Sequence, residues 1–505
     1  MITPGDIANR HLLPASGLAN ASLLGTRSVR VVVAEEWGSS VAGQLLTSCL
    51  VNVLCRQVGI ISRIEVVATP TATLISLPGI AVPAAFPSSL EQLAAWAVKD
   101  RIPFRIGATD SVVDYMIMIG AKLPQHSVAS RQVLVVIGDG WRAWIGEGSR
   151  APRLVSPRST NPLGPFFAAS LASGEIFKRS RGILRGRYLT AAGFSLWTGR
   201  SSEEWGELED GPELAGLSLP ATHVVGAGAV GNALAYVIAS AQFAHGYVIP
   251  IDDDIYDGTN LNRCTLAGWH DQEHDKVESI ARMLSATNVG VFPFPGSIKE
   301  YVTDEKIGLR PDVAAKVNQL EFDVVVSCVD KRTARQDVQG LWPSLLLGGS
   351  TLDLQAKTNV YGLWPGAACL ACHNPAERDG DKVRALEVKL RNMPSDQRRR
   401  YLEDNGLNAA AIEDYLVGAQ CGGLGEAILK SFATRPSAQF SVGFVSLGAG
   451  ALLGAALFQQ TIFRGHALKR ADMTSFNYLN GNSFDAGLGY DPSCELGCYS
   501  DLPNT

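Results

Sequence analysis

THVVGAGAVGNALAYVIASAQFAHGYVIPIDDDIYDGTNLNR, from Thr222 to Arg263, decides how the second half of this chain folds. An apolar run leads into the glycine pattern Gly226-x-Gly228-x-x-Gly231, and a helical pattern of small residues follows before a second apolar run. This order predicts a strand, a glycine-rich turn, a helix and a second strand. Such a unit points backbone N–H groups and the positive end of a helix at a phosphate group. The stretch therefore predicts a nucleotide site.

Charged residues that follow the glycines indicate which reaction of the nucleotide the site catalyses. Asp252 ends the second apolar run and suits a ribose hydroxyl. Arg263 and Lys276 follow on the far side of that acid, where a dinucleotide oxidoreductase has no need of them. An enzyme that breaks ATP between its α- and β-phosphates uses such cations to stabilise the departing pyrophosphate. Further on, a β-branched strand ends at Asp330, with Arg335 beyond it, and a strand-tip acid of this kind suits Mg²⁺.

The order and spacing of these motifs resemble the adenylation domain of the ThiF/MoeB and ubiquitin-activating enzyme family. The resemblance covers Leu217 to the C-terminus, with weaker echoes before it. It implies a bacterial enzyme that adenylates the C-terminal carboxylate of a ubiquitin-like protein, with ATP and Mg²⁺ as cofactors. The residues that it implies for nucleotide binding are Gly226, Gly228, Gly231, Asp252, Asp254, Asn260, Arg263, Lys276, Asp330 and Arg335.

The first half of the chain repeats the strand–helix–strand logic with altered turn residues. Ala34, Glu36 and Ser39 occupy the three glycine positions, and Glu35 and Glu36 place negative charge where phosphate would lie. This copy is therefore not expected to bind ATP. We expect an α/β chain with two Rossmann-like ThiF-type folds: residues 1–205 form a degenerate, inactive domain and residues 206–505 the active one. The alternative for the first half is an unrelated α/β domain.

Arg10 lies in the segment Ile7-Ala8-Asn9-Arg10-His11. In the resembling family, an N-terminal arginine reaches a neighbouring subunit's site and contacts the phosphates of ATP. The resemblance therefore implies that Arg10 assists catalysis from the inactive domain. The alternative is a solvated arginine on a loose arm.

Two short-spaced thiol pairs, Cys369-x-x-Cys372 and Cys494-x3-Cys498, stand far apart in the sequence. Four thiolates form a closed, structural zinc site, and the resembling family has a zinc staple of two such pairs in these places. We therefore expect these four cysteines to bind zinc. A redox Cys-x-x-Cys is the competing interpretation.

Another cysteine, Cys421, lies in the region 374–425, where thioester-forming family members carry a nucleophilic cysteine on a crossover loop. The resemblance places the nucleophile at Cys421. Helix-start amides and neighbouring glycines would suit a reactive thiolate that receives a partner's chain end. The alternative is a small buried cysteine.

Bulk properties set the remaining bounds. A chain of 505 residues with 46% apolar residues, 18% charged residues and net charge −5 has room for two to four domains and no electrostatic reason to bind nucleic acid or an anionic membrane. Its scattered cysteines and the lack of a signal-peptide pattern indicate a cytoplasmic protein. Ser441–Phe463 is uncharged and long enough to span a membrane, but its glycines, alanines and glutamines favour a buried core helix.

These expectations combine into one function and two alternatives. The leading hypothesis is adenylation of a ubiquitin-like β-grasp protein through its C-terminal tail, thioester formation on Cys421 and transfer to a conjugating enzyme. The alternatives are a sulfur-carrier adenylyltransferase of the thiamin or molybdopterin type and a non-catalytic nucleotide-binding scaffold. Whether two chains form a homodimer through the inactive domain stays open.

Overall fold

Two eight-stranded sheets with the same strand order form the framework of the chain. The computed structural model describes residues 3–12, 25–120, 130–152, 155–183, 188–303, 322–362, 367–374, 379–417, 423–433, 440–463, 472–494, 496 and 498. A short helix, α1 (Pro4–Leu12), precedes the first sheet.

The first sheet has the order β3-β2-β1-β4-β5-β6-β7-β8. Its strands are β1 (Arg27–Val33), β2 (Ile61–Val67), β3 (Phe104–Ile106), β4 (Val113–Ile119), β5 (Ser130–Asp139), β6 (Arg142–Glu147), β7 (Ala191–Ser195) and β8 (Ser201–Ser202). Strands β3, β2, β1, β4 and β5 run parallel, and β6 to β8 add antiparallel pairs. Its helices are α2 (Glu35–Gly38), α3 (Val41–Cys55), α4 (Ser89–Val98) and α5 (Leu163–Arg181).

The second sheet has the order β11-β10-β9-β12-β13-β14-β15-β16, the same plan eight strands later. Its strands are β9 (Thr222–Val225), β10 (Gly246–Ile251), β11 (Val289–Val291), β12 (Val324–Ser327), β13 (Leu345–Leu352), β14 (Gln355–Gly362), β15 (Met473–Asn477) and β16 (Asn482–Ala486). The first five positions are again parallel and the last three pairings antiparallel. Its helices are α6 (Ala229–Ser240), α7 (Lys276–Leu284), α8 (Ile298–Thr303) and α9 (Arg332–Gln339). The expectation of two α/β sheets in one chain is confirmed.

An additional group of helices lies between the first cysteine pair and the last long helix. It comprises α10 (Asp379–Arg391), α11 (Ser395–Asp404), α12 (Ala409–Leu416) and α13 (Gly423–Ala433). These helices enclose an apolar cluster of their own, which includes Leu390, Leu402 and Leu429. The chain then enters α14 (Gly443–Thr461) before the last two strands.

Helix α14 owes its glycines and alanines to close packing. A Cβ at Gly450 would lie only 2.5 Å from the Cβ of Ala233 in α6, so the two helices approach at a distance that larger side chains exclude. Among the described helices, α14 is long and apolar enough to cross a membrane. However, 94% of the apolar stretch within this helix is buried in the protein. The structure thus places this segment as a core helix, as expected.

The two halves share one continuous hydrophobic core. Helix α5 of the first half packs on α14 of the second, with the rings of Phe177 and Phe444 centred 5.4 Å apart. Hydroxyl groups of Ser170 and Tyr478 are 2.8 Å apart across the same contact. Because this joint is apolar and buried, the halves stabilise each other.

The segment 201–220 lies at the expected boundary between the two domains, and its acids, prolines and glycines are typical of an exposed linker, but the structure packs it against the first half. Leu208, Leu214 and Leu219 are buried, and the backbone N–H of Trp141 donates to Asp210 Oδ1 at 2.8 Å. The leucines have no regular periodicity, so the sequence pattern did not show that they pack against the first sheet.

Candidate nucleotide site and thiol cluster

The glycine turn after β9 lies at the carboxyl ends of the parallel strands. Gly226 has φ +97°, a conformation that favours glycine, and a Cβ there would lie 2.8 Å from the carbonyl carbon of Cys328 at the end of β12. A Cβ at Gly231 would overlap the carbonyl oxygen of Gly226. At Gly228, by contrast, no described atom lies within 4 Å of the Cβ position. Two glycines therefore shape the turn, and the third leaves open space at the start of α6.

Asp252, directly after β10, is tied to that turn. Its Oδ2 accepts from the N–H of Ala227 at 2.6 Å, and its Oδ1 accepts from the N–H of Asp254 at 2.9 Å. Burial raises the pKa of Asp252, and the nearby Lys276 ammonium opposes that shift. The carboxylate thus stands beside the glycine turn, and its role as ribose ligand stays a prediction.

Lys276 is the first residue of α7, and its Nζ lies 2.6 Å from Asp254 Oδ2. Burial works to lower the pKa of Lys276, but the charges of Asp252 and Asp254 outweigh it, and the net shift is upward. The ammonium is therefore held in its charged form at the strand tips. In the structure, Asp254 is the partner of this lysine.

Arg263 follows a short 3-10 helix, Gly258–Asn262. Its Nη1 donates to the carbonyl of Thr259 at 2.6 Å and to Asn262 Oδ1 at 2.9 Å. Asn260 is buried and closes the capping box of this 3-10 helix with Asp257. The loop thus directs the guanidinium through local hydrogen bonds.

Arg10 and Asp330 both lie near Arg263. Burial lowers the pKa of the Arg263 guanidinium most, Arg10 lowers it further, and Asp330 raises it. Helix α1 packs against the 3-10 helix that precedes Arg263, and the N–H of Ser441 donates to the carbonyl of Arg10 at 3.3 Å. Arg10 of the first half and the exposed Asp330, which follows β12, thus both influence the charge of Arg263.

Arg335, in α9, lies behind that tip. Its Nε donates to the carbonyl of Val329 at 3.0 Å, and its Nη1 donates to Asn374 Oδ1. Both contacts are made to the protein itself. Arg335 thus links the end of β12 to the segment that carries the first cysteine pair.

The corresponding turn of the first half is filled by protein. Trp37, in α2, is fully buried, and its indole N–H donates to the carbonyl of Val155 at 3.2 Å. A Cβ at Gly120, directly after β4, would lie 2.5 Å from the Trp37 ring. Glu35 and Glu36 are exposed on the same short helix. The indole is therefore packed between this turn and the end of β4, whereas a Cβ at Gly228 in the second half would meet open space.

The four cysteines of the two pairs meet in one cluster. Sγ of Cys369 is 3.7 Å from that of Cys372 and 3.6 Å from that of Cys494, and the Sγ atoms of Cys372 and Cys498 are 3.3 Å apart. Four thiolates about 2.3 Å from a Zn²⁺ ion would stand about 3.8 Å apart at the corners of a tetrahedron. The thiol spacing therefore fits a closed four-thiolate site.

Cys421 lies outside the described residues, so its position in the fold stays a prediction. Helix α13 begins at Gly423, two residues after it.

Several residues of the site escaped the sequence analysis. Asn232, within α6, accepts from the N–H of Leu266 at 2.6 Å and so anchors the loop after Arg263. Asn262 Nδ2 donates to the carbonyl of Ser441 at 2.9 Å. Asn52 and Arg56 contact the same loop from the first half. The sequence did contain one signal for these residues, since Asn232, Asn52 and Arg56 are polar residues in or at the end of otherwise apolar helices. The sequence alone does not show which groups such side chains bind.

Two family models match parts of this chain. The model of the ThiF family matches residues 217–392, which hold the glycine turn, Arg263, Lys276 and Asp330. Residues 217–392 form a ThiF family domain. The model of the BilD N-terminal domain matches residues 28–196, which hold the first sheet up to β7.

Two relatives extend beyond the ThiF domain. The uncharacterized protein y4jF of Sinorhizobium fredii is 24% identical over 310 residues, which are 60% of this chain and 54% of that protein. The bacterial E1-like protein BilD of a Collimonas species is 27% identical over 290 residues, which are 55% of this chain and 57% of that protein. The matches thus span little more than half the length of either relative.

Solved structures of MccB from E. coli, with AMPCPP and MccA or with ATP, are similar over 55% of this chain and 66% or 65% of theirs. The identities are 17% and 16%, and the TM-score is 0.36 for both.

Proposed function

We propose that this protein is an ATP-dependent activating enzyme for a ubiquitin-like protein. The partner's C-terminal carboxylate oxygen attacks the α-phosphorus of ATP, the bond to the bridging oxygen breaks, and pyrophosphate leaves an acyl-adenylate behind. Residues 206–505 act as the active domain and residues 1–205 as the inactive one. The enzyme works in the cytoplasm, without nucleic acid or membrane as partner.

The observation that carries the proposal is that Arg10, from the helix packed against the loop of Arg263, and Asp330, beyond the strand that meets the glycine turn, both act on the charge of Arg263. A nucleotide scaffold that only binds has no use for cations placed from both halves of the chain. Pyrophosphate release does, because negative charge builds up on the leaving oxygens and is stabilised by fixed cations. Lys276, kept charged by its neighbours, supports the same chemistry.

Each residue has a role in this scheme. Asp252 accepts from the ribose, and the turn at Gly226, Gly228 and Gly231 offers its amides to phosphate. Arg263, Lys276 and Arg10 hold the charge of the departing pyrophosphate. Asp330, an exposed carboxylate at a strand tip, has the oxygen ligands that Mg²⁺ prefers, and the bound ion would neutralise phosphate charge. Asn260 and Arg335 support the site, through the cap before Arg263 and through the strand tip.

The four-cysteine cluster is proposed as a structural zinc site. All four ligand atoms lie within 4.8 Å of one another, and the donor set of four thiols leaves no position for substrate. Zinc would tie the segment after β14 to the end of the chain, next to the residue pair Arg335 and Asn374.

The second step of the proposal rests on the sequence alone. The Cys421 thiolate attacks the acyl carbon of the adenylate, AMP leaves, and a thioester forms that a conjugating enzyme's cysteine accepts. The β-grasp partner reaches the site with its C-terminal tail.

ATP–pyrophosphate exchange with small β-grasp proteins encoded beside this gene tests the first step. We expect exchange with one of them, and a thiol-sensitive adduct on non-reducing gels. Cys421→Ala should keep the exchange and lose the adduct. Exchange without an adduct in the unmodified protein would favour a sulfur-carrier adenylyltransferase. Failure of exchange with every such partner would leave a nucleotide-binding scaffold.

A further inference from the structure

Arg56 closes α3 of the first half and is fully buried. Its Nε donates to Asn52 Oδ1 at 2.8 Å, one helical turn earlier. Its two terminal nitrogens reach across to the second half and donate to the carbonyls of Leu261 and Ala267, each at 2.8 Å. The terminal N–H groups of the guanidinium therefore donate mainly to backbone carbonyls of the second half.

Asn52 completes this contact. It is also fully buried, and its Nδ2 donates to the carbonyl of Thr265 at 2.9 Å. Arg56 Nη2 approaches the same oxygen at 3.4 Å. Together, the two side chains hold three carbonyls within a stretch of seven residues, Leu261 to Ala267.

That stretch carries Arg263. Leu261 lies two residues before Arg263, and Thr265 lies two residues after it. The C-terminal end of α3 in the first half therefore holds backbone carbonyls on both sides of the arginine. On the other side, Asn232 of α6 holds the N–H of Leu266. The Arg263 loop is thus clamped between a helix of each half.

The charge on Arg56 makes a purely structural role costly. Within the described part of the chain, no carboxylate forms an ion pair with it, and carbonyl oxygens are its main partners. A buried cation without a counter-ion costs free energy that a neutral side chain would not. Arg30, which is also buried in the first half, differs in having Glu65 at 2.7 Å.

We propose that Arg56 and Asn52 are positioning residues for the ATP phosphates, through which the first half sets the placement of Arg263. This inference rests on the proposed function, because Arg263 is a phosphate ligand only there. It gives the inactive domain a second task besides supplying Arg10. Disturbing the pair should weaken contacts to the β- and γ-phosphates and leave the adenosine end of the site intact.

The test compares ATP and AMP binding by calorimetry in the full-length chain. Arg56→Lys keeps the charge and loses the fork that spans two carbonyls. We expect about tenfold weaker ATP binding and less than a twofold change for AMP, since a misplaced cation costs one charged hydrogen bond. Arg30→Lys is the matched control: the same substitution at another buried arginine of the first half should leave both affinities within about twofold.

The outcomes separate the two proposals. If the unmodified protein binds no ATP, the proposed function fails and the inference falls with it. If it binds ATP, but Arg56→Lys weakens ATP and AMP equally or changes neither, the function stands and the positioning role is wrong. Should Arg56→Lys not fold, as judged by thermal denaturation, Asn52→Ala applies the same criterion, with an expected loss of about threefold for ATP alone.

Discussion

Lys276 Nζ and Asp254 Oδ2 are 2.6 Å apart at the tips of the parallel strands, and the lysine is the more buried partner, with 12% of its side chain exposed against 63% for the aspartate. The sequence assigned both residues to the nucleotide. In the proposed function the two residues have different roles: the aspartate keeps the ammonium charged and oriented, and the ammonium binds the phosphates.

We therefore predict that Lys276→Ala weakens ATP binding by about 10- to 100-fold, because one charge-assisted hydrogen bond to phosphate is lost. Asp254→Asn should stay within about threefold of the unmodified protein, since the lysine remains charged through Asp252. Calorimetric titration with ATP measures both. An equal loss in the two variants would show that Asp254 itself contacts the nucleotide.

Two glycines of the turn should respond differently to the same substitution. Gly231→Ala introduces a Cβ that overlaps the Gly226 carbonyl, so we expect a lower denaturation temperature and no ATP binding. Gly228→Ala has no described atom within 4 Å and should fold like the unmodified chain, while its methyl group intrudes on the phosphate and weakens ATP binding about tenfold. Thermal denaturation with and without ATP distinguishes the two. A Gly228→Ala protein with unchanged affinity would place the phosphates elsewhere.

The four-cysteine cluster allows the metal content of the protein to be predicted. The purified protein should contain one zinc ion per chain by elemental analysis, and Cys372→Ser should lose most of it and denature at a lower temperature. Cys49→Ala is the control, because that fully buried cysteine lies in α3 and should leave the zinc content unchanged. Equal zinc in both variants would contradict the assignment of the ligands.

Two buried histidines should make the protein sensitive to mild acid. Burial lowers the pKa of both His11 and His223 to about 4, whereas an unfolded histidine titrates near its ordinary value of 6.5. The unfolded chain therefore binds protons first as pH falls, so stability is full above about pH 6.5 and declines toward pH 4. The loss should reach about 3 kcal/mol for each histidine at pH 4.

Urea denaturation between pH 7.5 and pH 4.5 measures this decline. His11 lies next to Arg10 in α1, and its Nε2 hydrogen bonds to the carbonyl of Val58 at 2.8 Å, while the Arg181 guanidinium disfavours its protonation. His11→Gln removes one titrating group and should flatten the pH dependence. If the urea midpoint of His11→Gln falls with pH as steeply as that of the unmodified chain, His11 does not contribute to the loss of stability in acid.

The local parts of the site could be predicted because they depend on neighbouring residues. Gly226, Gly228 and Gly231 specify a turn through their missing side chains, and Asp252 follows directly after an apolar strand. The two cysteine pairs could be paired in advance because four thiols are a recognisable donor set. By contrast, the leucines of 201–220 and the partners of Asp254 and Arg335 depend on surfaces that come from distant segments, and local pattern does not reveal them.

The sequence by itself determined the two α/β halves, the glycine turn at β9 and the residue types that gather around it, because strand and turn propensities act over a few neighbouring residues. Only the tertiary structure decided which half supplies which contact. The packing of α5 on α14 brings α1 and the end of α3 against the loop of Arg263, and Trp37 is buried at the turn of the first half. These relations depend on burial between segments about 200 residues apart, as from Arg56 to Leu261, and burial is a property of the folded chain.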